Sequence, residues 1–278
     1  MSNASSKQNP QNRRSYFFRR SSKKVGEYSS IPKQEVDSNI QKGFGGPARI
    51  ILAAFGIFIL SQVGAILVVE LAVNFIPLSF QTAIDQSAAL QFVYILLAEA
   101  LVIGGVFWLL RRRGIRQSAI GLGRRPLWRD LGWAAVGYAI FFVALVISTI
   151  ILTLLIPGFD TEQPQDVGFN FLSTSTDQII AFVALVILPP LGEETLMRGY
   201  LYSALRSRWR FLPAMVVTSL LFGVAHLTTG TEGALWAAGM ATFILSLVLV
   251  YVREITGALY APMMIHAFNN LVAFFFST

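Results

Sequence analysis

Cysteine is absent from this 278-residue chain, so disulfides, thiolate metal ligands and a cysteine nucleophile are excluded together. Histidine occurs only twice, at His226 and His266, and any chemistry that needs an imidazole must use one or both. Charge is scarce as well. Only 13% of residues are Asp, Glu, Lys or Arg, where a soluble domain carries about 25%. A polar surface cannot be built from that supply. What replaces it is apolar: 54% of residues are hydrophobic and the mean hydropathy is +0.60, so most of the chain has lipid as its solvent.

The net charge of +7 resembles a nucleic-acid signal until it is localised. Residues 1–49 hold ten Lys/Arg against three Asp/Glu, while the remainder holds twelve of each sign. The basic balance belongs to the tail, and no nucleic-acid partner is expected of the body. Residues 1–46 contain too little apolar material to fold and read as a disordered basic tail. Its cluster from Arg13 to Arg20 suits either a topogenic signal or anionic headgroups, at about 1 kcal/mol per cation near the surface. No apolar h-region follows Arg13-Arg14, so neither a twin-arginine nor a cleavable signal is expected.

From Ile50 onward, apolar runs alternate with short polar breaks. An all-α, polytopic transmembrane bundle of about seven spans is expected, near 50–76, 89–110, 131–156, 178–205, 211–227, 233–252 and 257–277. Residues 47–177 then form an N-terminal membrane region, and 178–277 a second unit. The breaks test the count. Cations gather in the tail, at Arg111, Arg112, Arg113, Arg116, Arg124, Arg125 and Arg129, at Arg206, Arg208 and Arg210, and at Arg253. The alternate breaks carry Asp85, Asp160, Glu162, Asp166, Asp177 and Glu232 without a cation. This alternation predicts a cytoplasmic N-terminus and an external C-terminus, with the cytoplasmic (plasma) membrane as the default bilayer. Trp108, Trp128, Trp133, Trp209 and Trp236 fall near span ends, where indoles favour the interface.

An ionisable group at the bilayer centre costs roughly 2.5–3.5 kcal/mol, so those retained face the protein interior. The spans contain few: Glu99, then Glu193, Glu194 and Arg198, then His226, then His266 beside the amide of Asn270. Both histidines of the chain are in this set. The prolines Pro189 and Pro190 remove two backbone donors, which predicts a kink or a restarted helix with Glu193 and Glu194 in its first turn. Glu194 and Arg198 are four apart and can form an ion pair, whereas Glu193 points elsewhere and lacks that partner. The division of labour predicted is Glu193 for chemistry and Glu194–Arg198 for structure. Phe222 and His226 share a helix face, as do His266 and Asn270. One Glu with two His can activate a water, with or without a metal, and an Asn can donate to an oxyanion. The alternative is that these groups make interhelical hydrogen bonds that hold the bundle. Glu99 stays open between a supporting partner, a lining residue and a lone acid.

Glu193-Glu194-x-x-x-Arg198, Phe222-x-x-x-His226 and His266-x-x-x-Asn270 resemble the three motifs of the CAAX protease and bacteriocin-processing family, also called Abi or type II CAAX prenyl endopeptidase-like. The run from Ser246 to Pro262 is similar to the stretch before the last motif. The resemblance covers about 178–275. It implies an intramembrane endopeptidase in which Glu193 is the base, His226 helps hold the water, and His266 with Asn270 stabilises the oxyanion. Some relatives carry the label metalloprotease. A zinc ion here would take Glu193, His226 and His266 and leave Glu194 as base; a metal-free mechanism is the preferred expectation. The partners implied are a peptide or membrane-protein substrate, such as a prenylated C-terminus or a leader peptide, and the bilayer. Two other classes remain open, a non-catalytic immunity or scaffold protein and a proton-coupled transporter. No internal repeat of the kind many transporters show is present.

Overall fold

The computed structural model describes residues 42–73, 87–160, 169, 172–227, 229–230 and 233–277. Most of the expected tail, 1–41, and the loop residues Asp85, Glu162, Asp166 and Glu232 lie outside the described residues.

Among the described residues seven long helices follow one another: α1 Pro47–Val73, α2 Ala88–Arg112, α3 Trp128–Leu155, α4 Ser175–Arg206, α5 Phe211–Ala225, α6 Trp236–Thr256 and α7 Tyr260–Ser277. A two-residue hairpin, β1 Thr229–Gly230 against β2 Gly233–Ala234, joins α5 to α6 in antiparallel register. Local chemistry fixes several starts. Ser87 accepts from the Leu90 N–H at 3.3 Å to cap α2. Asp130 accepts from the Leu127 N–H at 2.8 Å at the head of α3. Thr174 and Asp177 cap α4 reciprocally, at 3.1 and 2.9 Å. Gly257, at φ +67°, ends α6 in the left-handed conformation that glycine adopts without a Cβ penalty.

Helices α1, α2, α3, α4 and α6 are long and apolar enough to cross a bilayer, and the protein is an all-α integral membrane protein. The lipid-facing role is plainest on α3, where Leu154 is 78% exposed and residues such as Phe142 and Ile147 also point outward. The fifth expected span is shorter than a bilayer. Helix α5 has 15 residues, about 22 Å at 1.5 Å each, against a hydrocarbon layer of about 30 Å. The seventh is a helix of 18 residues, made less apolar by His266, Asn269 and Asn270.

Helix α4 lies at the centre, in contact with α1, α2, α5, α6 and α7, while α3 packs on α6 and α7. Phe44, expected within the tail, is folded into the core: its ring meets Tyr200 at 5.9 Å and its carbonyl accepts from Arg113 at 2.8 Å. The basic breaks meet at one end of the bundle. Arg113 joins Phe44, Arg206 pairs with Glu254 at 2.9 Å, and the Arg253 guanidinium lies on the backbone of Gly121.

The expected restart at the prolines does not occur. Helix α4 continues through Pro189 and Pro190, with the seven α-helical residues Leu188–Glu194 flanked by π-helical stretches Val183–Ile187 and Thr195–Tyr202. Widening the turns lets the chain pass the missing donors without breaking. Glu193 and Glu194 therefore sit at the end of an α-helical segment in mid-helix, not in a first turn.

Candidate active site

Helix α4 presents three polar side chains, Glu193, Glu194 and Arg198, to α5 and α7. Glu194, wholly buried, accepts at a single oxygen, Oε1, from Arg198 Nη1 at 2.8 Å and from His266 Nδ1 at 2.9 Å. The pair that sequence assigned to structure thus also orients an imidazole on α7, because a carboxylate on Nδ1 holds the proton there and turns Nε2 outward. Arg198 is equally buried and lies with Cζ 4.2 Å from the centroid of the Phe222 ring. Phe222 in turn meets His226 at 4.5 Å and His266 edge-on at 5.9 Å. One aromatic ring therefore touches the Arg and both imidazoles.

His226 caps the C-terminus of α5, where its Nδ1 donates to the Phe222 carbonyl at 2.9 Å. A carbonyl only accepts, so the proton is on Nδ1 and the Nε2 lone pair of the neutral ring is free. The short helix is held in place by a close backbone approach. A Cβ on Gly223 would stand 2.9 Å from the Gly239 carbonyl oxygen of α6.

Glu193 Oε2 lies 3.9 Å from His226 Nε2 and 4.0 Å from His266 Nε2. That oxygen is buried and has no hydrogen-bond partner. The gaps exceed a direct hydrogen bond and suit a water about 2.8 Å from each atom. They also exceed the ligand-to-ligand edge of a tetrahedral zinc site, about 3.3 Å for metal bonds of about 2.0–2.1 Å. Among the described residues no group of three His, Asp or Glu is close enough to hold a metal ion. Glu194, buried and engaged twice, is also unable to serve as the base that a zinc ion on Glu193 would require. These residues as placed do not fit zinc.

Asn270 stands one turn beyond His266 and donates Nδ2 to the Leu185 carbonyl at 3.0 Å, which leaves its second N–H. The centre opens into a cavity of about 640 Å³ between α1, α2, α4 and α5, lined by Glu193 and His226 and mostly by apolar side chains such as Phe55, Phe58 and Leu201.

Glu99, left open in the sequence between a supporting partner, a lining residue and a lone acid, lines the cavity. It belongs to α2 and is 8% exposed, its carboxylate resting on the Cα of Gly192. A Cβ at Gly192 would overlap that carboxylate. The signal was present as a glycine directly before Glu193, but nothing in one sequence pairs it with a residue ninety-three positions away.

Fold and site together define a polytopic helical membrane protein with a glutamate–histidine centre inside the bundle. Residues 175–272 match the family model described as Type II CAAX prenyl endopeptidase Rce1-like, a stretch that contains all seven motif residues from Glu193 to Asn270. An Escherichia coli protein described as an uncharacterized 24.3 kDa protein is 30% identical over 142 residues, 50% of this chain and 61% of that protein. The chain thus spans about three-fifths of that relative's length. No solved structure matches the chain.

Proposed function

We propose that the protein is an intramembrane endopeptidase of the CAAX type that hydrolyses a peptide bond with a glutamate-activated water and no metal. The observation that carries this reading is the buried, unpartnered Glu193 oxygen facing two imidazole Nε2 atoms across water-sized gaps. Glu193 takes a proton from the water as its oxygen bonds to the substrate carbonyl carbon. His226 Nε2 accepts the water's second hydrogen and fixes its direction. The oxyanion receives hydrogen bonds from Nε2–H of His266, as an imidazolium, and from the second N–H of Asn270. The C–N bond then breaks, and protonated Glu193 returns its proton to the leaving amine.

The substrate is a membrane-associated peptide: a prenylated C-terminus, a leader peptide or a membrane-protein segment. The gathering of cations at one end of the bundle supports a cytoplasmic N-terminus, and the plasma membrane is the default bilayer. The test is cleavage of a quenched peptide library, with prenylated and unmodified members, by wild type and Glu193→Gln. Cleavage by wild type that the variant loses while keeping its fold supports the peptidase. A variant that rescues a deletion phenotype as well as wild type does returns the protein to the non-catalytic scaffold class.

A further inference from the structure

The cavity beside Glu193 contains polar groups that the proposed water chemistry does not use. Glu99 is more than nine-tenths buried, its Oε2 has no hydrogen-bond partner, and no cation pairs with it among the described residues. A carboxyl group left unpaired in a membrane span is costly, which makes an absent partner the natural explanation. Farther along the same wall, Tyr94 donates to Gln62 Oε1 at 2.6 Å, bridging α2 to α1. That bond occupies the amide oxygen and leaves the Gln62 N–H groups as donors. Both residues line the cavity.

Tyr94 and Glu99 are five residues apart on α2, an axial rise of about 7.5 Å. Two residues of an extended chain advance about 6.5–7 Å, and main-chain groups at i and i+2 point the same way. An acceptor at Glu99 and a donor at Gln62, held to Tyr94, face one cavity, as two same-side main-chain groups of an extended peptide require. A lipid chain would leave both unsatisfied, at the cost that buried polar groups incur.

We propose that Glu99 and the Gln62–Tyr94 pair form a main-chain binding strip that holds an extended substrate peptide in the cavity beside Glu193. Glu99 accepts from a substrate N–H, and Gln62 donates to a substrate carbonyl two residues away. Gly192 positions Glu99 by leaving room for its carboxylate. The strip rests on the peptidase reading for its purpose, and it is a positioning device: it sets affinity and register and takes no part in bond cleavage.

The experiment measures binding without turnover. In detergent, the Glu193→Gln protein is titrated with a fluorescein-labelled, Leu/Ala-rich decapeptide and with its backbone N-methylated counterpart. The strip predicts that adding Glu99→Leu weakens binding about tenfold, that adding Glu99→Gln, which keeps an acceptor, restores most of it, and that Gln62→Leu weakens it about as much as Glu99→Leu. N-methylation should weaken binding to the parent and have little further effect with Glu99→Leu. Equal binding by the parent and the Leu variants overturns the strip, as does an N-methyl penalty that Glu99→Leu leaves intact. So does displacement of the peptide by a fatty acid that is itself insensitive to both variants. Peptide binding that depends on Glu99, in a protein whose wild type cleaves nothing, sinks the peptidase and keeps the strip. In a wild-type background, Glu99→Leu should raise KM and leave kcat within about threefold; a loss confined to kcat contradicts the proposal.

Discussion

Asn270 supplies the hydrogen bond that Pro189 withholds from Leu185. In an α-helix the Leu185 carbonyl would accept from residue 189, and in a π-turn from residue 190, but both positions are proline and carry no N–H. Asn270 Nδ2, from a different helix, donates to that carbonyl at 3.0 Å. The contact ties α7 to α4 one turn from His266, so a backbone defect in one helix fixes the register of an imidazole in another. Asn270→Leu should cost about 1–3 kcal/mol by leaving the carbonyl orphaned. Pro189→Ala restores an N–H at the α-helical position, so the double variant should recover part of the loss. Melting in detergent micelles measures both, and a strictly additive double variant would mean that the contact carries no such coupling.

The seat of His226 depends on α5 and α6 touching by their backbones. Gly223→Val places branched carbons where only 2.9 Å separates the first of them from the Gly239 carbonyl, with Phe243 Cβ at 3.0 Å. Separating the helices should lower stability by about 1–3 kcal/mol and move His226 out of reach of Glu193. Peptide cleavage should fall more steeply than the melting temperature. The reverse order would place the helix contact outside the site.

At the basic end, Gly121 has φ +88° and its missing Cβ leaves room for Arg253, whose Cζ and Nε would lie 2.8 Å away. Gly121→Ala meets both the left-handed backbone penalty and the guanidinium. The expected result is a loss of about 1–3 kcal/mol in unfolding free energy with little change in kcat at a temperature where the protein is folded. An unaffected melting curve would show that the loop before α3 is not anchored through Arg253.

The spacing around Glu193 also bears on metal. Dialysis against a strong chelator should leave peptide cleavage unchanged, as metal analysis and initial rates on the same sample would show. Activity that disappears and returns with one equivalent of zinc would contradict the metal-free account.

Much of this architecture is legible in the sequence because lipid imposes a simple rule. Apolar runs and the alternation of charged breaks mark the helices. The rarity of intramembrane charge singled out Glu193, Glu194, Arg198, His226 and His266 without any structure. Helical periodicity speaks only within one helix, however. It could pair Glu194 with Arg198, but not with His266 on α7, and it could not lay Glu99 on Gly192. The π-turns were invisible for a related reason: two prolines announce missing donors, and whether the helix breaks or widens depends on what packs around it. The expected fifth span ran on to Leu227, whereas the helix ends at Ala225 with His226 as its cap.

The most direct test of the account is a side-by-side comparison of Glu193→Gln and Glu194→Gln, scoring cleavage and melting for each. Glu193 has an unpartnered oxygen at the cavity, so its amide should fold as wild type does and lose about 10²–10⁴-fold in rate. Glu194 neutralises buried Arg198, so its amide should lose about 3–5 kcal/mol of stability through the charge left unpaired. Stable Glu194→Gln protein without activity, beside an active Glu193→Gln, would make Glu194 the base and contradict the central claim.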